Sequence, residues 1–147
     1  MVSKGMLSPL QIQLCDIQGR LFELSLTKGL FSERFIQLFM NSVCVANYDQ
    51  EYNRLQWAGE EYILEELIDE CKDKLVSGKT YTKDEMYWIG YTYRYWHFTT
   101  GESSKKIIKR APAKIMKNGY ARLHTIDVAL AIEDLIQLAK QTASKRG

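Results

Sequence analysis

A chain of 147 residues and 17.1 kDa has the mass of one domain. It is 46% hydrophobic and 26% charged with two prolines, which excludes disordered, collagen-like and mucin-like classes. Twenty Lys and Arg against eighteen Asp and Glu leave a formal charge of +2, too small a surplus to imply nucleic acid by itself. No run approaches the roughly 18 consecutive apolar residues of a membrane-spanning helix. A signal-peptide core is also absent from the N-terminus, so the expected partners exclude membrane and the expected location is the cytoplasm. Cys15, Cys44 and Cys71 are odd in number and widely spaced, and read as reduced core thiols. Residues 1–5 differ in character from the rest of the chain and are set apart as a non-native or disordered N-terminus, with Met6 the candidate natural start. Residues 6–142 are expected to form one helical domain, and 143–147 a disordered tail.

Taken in order, the chain punctuates helices. Ser8-Pro9-Leu10-Gln11 is a capping box with proline in the first turn, and Lys28-Gly29 supplies a stop. Ser32 opens a second helix to about Ala46, and a third is expected from roughly Asn53 to Val76. Thr82-Lys83-Asp84-Glu85 is another capping box, starting a fourth helix that ends at Gly101. Ser103 caps a short basic helix, Pro112 restarts the chain to about Asn118-Gly119, and Thr125 opens a last helix to about Thr142. Period-2 alternation is nowhere sustained. The expected fold is all-α, a single domain of six or seven helices around a central aromatic helix.

The first helix is two-faced. Leu10, Leu14, Ile17, Leu21 and Leu24 lie on one side, and Ile12, Cys15, Phe22 and Leu26 on nearly the opposite one. Two apolar faces need two partners, so the second set is a candidate protein interface unless the domain itself covers it. The third helix sets Ile63, Leu64, Leu67, Ile68 and Cys71 against an acidic face. From Gly59 to Val76 seven acids outweigh two lysines, a local −5. From Gly101 to Leu123 the cations Lys105, Lys106, Lys109, Arg110, Lys114, Lys117 and Arg122 outweigh Glu102, a local +6. That basic patch either forms a solvated face, pairs with the acidic block, or touches phosphate or an acidic protein.

The fourth helix holds seven aromatic residues between Met86 and Phe98, distributed around its axis, as suits a buried central helix. Gly90 costs about 1 kcal/mol in a helix interior, which implies a close approach of backbone or ligand. Arg94 would be buried among these rings and needs a carboxylate, since removing a buried partner costs about 3–5 kcal/mol. Glu60, which points along the Ile63 stripe, is the expected partner, with Glu61 second. Tyr87, Gly90, Arg94 and His97 share one arc beside Tyr91. With Glu60 and Glu61 they are either a satisfied polar network or a site for an anionic ligand or acid–base chemistry.

No GxSxG, P-loop, GxGxxG or HExxH occurs, so no catalytic residue and no cofactor is assigned. Two histidines and unclustered cysteines give no metal site. Thr99 to Arg110 is loosely similar to a helix-turn-helix, yet the second helix is short and stopped by Pro112, which leaves DNA binding possible but not favoured.

Two segments carry a resemblance. Tyr52-Asn53-Arg54-Leu55-Gln56-Trp57-Ala58-Gly59-Glu60-Glu61-Tyr62 and Tyr87 to His97, with Thr100-Gly101-Glu102, resemble a group of small uncharacterised bacterial proteins. That group is associated with Gram-positive toxin–antitoxin-like or mobile-element neighbourhoods, and the resemblance covers residue 6 to about 137. It implies no catalytic residue; it implies an interaction protein, such as an antitoxin-like partner. The expected function is therefore non-enzymatic binding of a protein partner or of a second copy. A ligand-binding or enzymatic role of the Glu60/Tyr87/Arg94/His97 cluster is the alternative.

Overall fold

A computed structural model describes residues 7–51 and 53–146, which are 78% helical and contain no strand. The expectation for residues 1–5 and Met6 lies outside the described residues. Eight α-helices succeed one another: α1 (Pro9–Leu24), α2 (Ser32–Met40), α3 (Val43–Tyr48), α4 (Glu60–Cys71), α5 (Lys83–Thr100), α6 (Ser104–Arg110), α7 (Ala113–Leu123) and α8 (Val128–Arg146).

Both expected capping boxes form, Ser8 with Gln11 and Thr82 with Glu85, so the starts of α1 and α5 lie where the sequence puts them. Gly29 (φ 63°) and Gly101 (φ 77°) take the left-handed conformation that ends a helix cheaply. The count exceeds six or seven because the second expected helix is two. Asn41 and Ser42 leave helical geometry, and Ser42 restarts the chain by accepting from the Val45 amide. The third expected helix is also shorter. Arg54–Trp57 is a 3₁₀ turn, Ala58 and Gly59 are extended, and α4 begins only at Glu60. It stops at Cys71, where Lys72 turns to φ 43°.

Two boundaries move near the C-terminus. Helix α7 runs through Gly119 to Leu123, and Asp127, rather than Thr125, caps α8 by accepting from the Ala129 amide. Helix α8 then continues to Arg146, so it extends into the segment expected as a tail. No glycine or proline interrupts that run.

Helices α1 and α5 form the centre, with α4 on another side of α1 and α6, α7 and α8 packed on α5. Ten of the eighteen residues of α5 are buried, from Met86 to Thr99, as its all-round aromatic pattern requires. The central pair is close. A Cβ on Gly90 would lie 2.6 Å from the Gln18 carbonyl oxygen, and one on Gly19 would lie 2.7 Å from the Tyr87 ring. Phe22 fills the adjoining space, edge-on to Phe35 and Phe39 at 5.3 and 5.4 Å and near Tyr93 at 6.4 Å. The domain therefore supplies both partners of the two-faced helix. Cys15 and Phe22 are fully buried, Leu26 is half-buried, and Ile12 is 39% exposed. As a candidate interface that face is corrected: two of its four residues belong to the core.

Candidate functional site

Arg94 has no exposed surface. Its partner is Asp49, in the turn after α3, and neither Glu60 nor Glu61. The Arg94 Nη1 donates to Asp49 Oδ1 at 2.6 Å, Nε donates to Gln18 Oε1 at 2.9 Å, and Nη2 approaches Ser104 Oγ at 3.4 Å. The guanidinium also lies over the Tyr48 ring, 4.5 Å from its centre. Asp49 is tied in turn by Ser104, whose amide donates to Oδ2 at 2.9 Å and whose hydroxyl donates to Oδ1 at 2.7 Å. The Gln18 amide nitrogen donates to the Gly90 carbonyl at 2.8 Å. Residues from α1, α5, the α3 exit and the first turn of α6 thus meet on one buried cation, and each of its three nitrogens finds an acceptor.

Glu60 is instead half-buried at the first position of α4, where the helix dipole favours an acid. Glu61 is exposed on the same turn. Nothing local in the sequence singles out Asp49 or Gln18. Asp49 lies in a short turn without periodicity, and Gln18 stands as a polar divider between two apolar faces. The one available signal is the demand of a buried Arg94 for an acid on a neighbouring segment.

The expected arc on α5 exists, but its members go to different neighbours. The Tyr87 hydroxyl donates to Asp16 Oδ1 at 2.5 Å, and burial together with that carboxylate raises its pKa well above the usual tyrosine value. Gly90 meets backbone, the first of the two close approaches its position implied. Tyr91 is half-buried, with its ring between those of Tyr87 and Tyr95 at 5.9 and 6.3 Å. At His97, Nδ1 lies 2.7 Å from the Glu102 carbonyl oxygen and Nε2 lies 3.1 Å from that of Asp49. Burial, followed by the Arg94 guanidinium, lowers its pKa below the usual histidine value, against the opposing pull of Asp49.

Only the outer edge of this network reaches solvent. Asp49 and His97 form part of the wall of an open groove of about 610 Å³, bordered by Ser8, Leu10 and Gln11 of the first turn of α1 and by Glu51, Gln56 and Trp57. Phe98 and Gly101 complete its α5 side. Trp57 is 75% exposed and Leu10 42%, so two large apolar side chains flank the opening. Trp57 lies within the Tyr52–Tyr62 segment, and no spacing or periodicity there ties it to a site.

The basic patch is partly paired. Arg110 pairs with Glu102 at 3.2 Å, Lys117 with Glu85 at 3.8 Å, and Arg122 with Asp134 at 2.9 Å. None of these acids belongs to α4, so the acidic and basic blocks do not neutralise each other through these pairs. Lys105, Lys106, Lys109 and Lys114 are exposed on two short helices, α6 and α7. On the acidic side, Glu70 does structural work: its carboxylate accepts from the Val43 and Cys44 amides at 2.7 and 2.9 Å and caps α3. Cys15, Cys44 and Cys71 are free and buried, and desolvation pushes the thiols of Cys15 and Cys44 up to about 12. Among the described residues no group of three or more His, Cys, Asp or Glu gathers to hold a metal ion. No helix among them is long and apolar enough to cross a membrane. No family model, curated protein or solved structure matches the chain.

Proposed function

We propose that this protein is a non-enzymatic interaction module that holds another protein in the groove flanked by Leu10 and Trp57. One observation carries the reading: a tryptophan left 75% exposed at a groove whose wall includes Asp49 and His97, the outer edge of a buried polar network. A large exposed indole beside an apolar neighbour is the anchor type that dominates protein interfaces. The residues that could have done acid–base work are occupied, with Arg94 enclosed by Asp49, Gln18 and Ser104, and Tyr87 bonded to Asp16. The resemblance extends the reading to an antitoxin-type neutraliser. Three free, buried thiols suit a reducing compartment, hence the cytoplasm.

The test is affinity purification from the native host with the wild type, Trp57→Ala, and a control at Val43, an exposed residue that does not line the groove (Val43→Asp). A partner recovered near one to one, lost with Trp57→Ala and retained with Val43→Asp, is the expected result. Recovery of no stoichiometric partner, or of one indifferent to Trp57→Ala, overturns the proposal.

A further inference from the structure

We infer that the groove selects a basic peptide segment of its partner, one that sets an arginine or lysine beside a bulky apolar residue. This rests on the reading of the groove as a protein-binding surface and adds the chemistry of its occupant.

Three observations converge. Among the described side chains, the ionisable residues lining the groove are Asp49, Glu51 and His97, with no lysine or arginine among them. Asp49 is balanced from behind by Arg94 at 2.6 Å, and His97 is biased toward its neutral form, so among the described side chains the charge left facing the opening is the exposed carboxylate of Glu51. Trp57 lines the same opening and presents an aromatic face, on which a guanidinium or ammonium rests favourably while a carboxylate does not. Leu10, Leu14 and Phe98 give the remaining wall an apolar character that suits the neighbouring side chain of such a segment. A volume of about 610 Å³ falls within the size range of ligand-binding clefts and leaves room for more than one large side chain. An acidic segment would meet Glu51 with no cation among the described lining residues to receive it. Electrostatic complementarity of this kind decides which partner is admitted more than how tightly it is held.

Phage-displayed dodecapeptides selected on the full chain, with Trp57→Ala as the counter-selection target, provide the test. Sequences that survive are synthesised and titrated against the wild type, Trp57→Ala and Glu51→Lys. Both substitutions fall on exposed side chains, and thermal melts check that each variant is folded. The expected result is that Trp57-dependent peptides pair Arg or Lys with Leu, Ile, Phe or Trp. Their binding should weaken about tenfold with Glu51→Lys and fall as salt rises. Trp57-dependent peptides that are neutral or acidic, or indifferent to Glu51→Lys, overturn the inference and leave the protein-binding reading standing. A complete lack of Trp57-dependent peptides overturns both. A dimer in sedimentation that Trp57→Ala abolishes places a second copy in the groove and overturns the inference as well.

Discussion

At the scale of single residues, Arg94 decides most. Its guanidinium is wholly buried and shares Asp49 with Ser104, so removing either charge strands the other. Arg94→Ala is expected to destabilise by about 3–5 kcal/mol, and Asp49→Ala by a similar amount. In the double variant the losses should fall well short of additive, because the second substitution removes a charge already unpaired. Additive losses in a denaturant-melt cycle would mean that the pair is not coupled. His97 makes a prediction of the opposite chemical sense. Its folded-state pKa is depressed, so the unfolded chain takes up that proton first as pH falls. The stability it contributes is full above about pH 6.5 and is lost as pH drops from there toward the folded value. Melts of wild type and His97→Gln between about pH 7.5 and 5 should show the steeper acid loss in wild type, and parallel curves would contradict this. The burial of Arg94 and its need for a carboxylate are legible in the sequence. The identity of that carboxylate is not, since a turn residue such as Asp49 carries no period by which its direction can be inferred.

At the scale of elements, the helices are legible where side chains announce their ends and illegible where backbone alone breaks them. Ser8, Thr82 and Ser103 fix three starts. The division between α2 and α3, by contrast, rests on Ser42 and on the Glu70 carboxylate arriving from α4, a tertiary contact that no local pattern contains. Periodicity places Glu70 on an acidic surface and carries no sign that it also caps a helix. The packing of α1 on α5 yields a sharp comparison. Gly90→Ala gains helix propensity of about 1 kcal/mol, yet its Cβ meets backbone at 2.6 Å, where a rigid neighbour cannot withdraw. The steric cost should win, with a net loss of about 1–2 kcal/mol once the propensity gain is subtracted. Gly59→Ala meets nothing within 4 Å at a φ of −81° and should be nearly neutral. Denaturation midpoints for the two variants check this, and equal effects would show that the helices separate to admit a methyl group.

At the scale of the whole molecule, the all-α class and the central place of the aromatic helix follow from periodicity and composition, and both are present. Charge distribution needs the third dimension. A local +6 suggests a surface, but three of its seven cations are engaged by Glu85, Glu102 and Asp134, and the rest are divided between two helices. Duplex DNA is therefore expected to bind weakly even at low salt. Binding through Z phosphates would instead fall with a log–log salt slope of about −0.9Z. Tight, salt-steep binding that disappears in a Lys105/Lys106/Lys109→Glu variant would put nucleic acid ahead of protein as the partner. The groove is the least legible feature of all, because it is made where the start of α1, the Asp49–Trp57 connection and the end of α5 converge.

The pairing of α1 with α5 also governs how the chain comes into being. Gln18 and Gly90 are separated by 72 residues, so the central contact cannot form until most of the domain has been synthesised. At translation rates of about 5–20 residues per second, α1 waits roughly 4–14 s for its α5 partner. Closing that long loop, rather than winding the helices, should set the folding rate, which makes this bundle slower than its helical content suggests. The same interval exposes an apolar helix to chaperones, or to a neighbouring nascent chain, before its own partner exists.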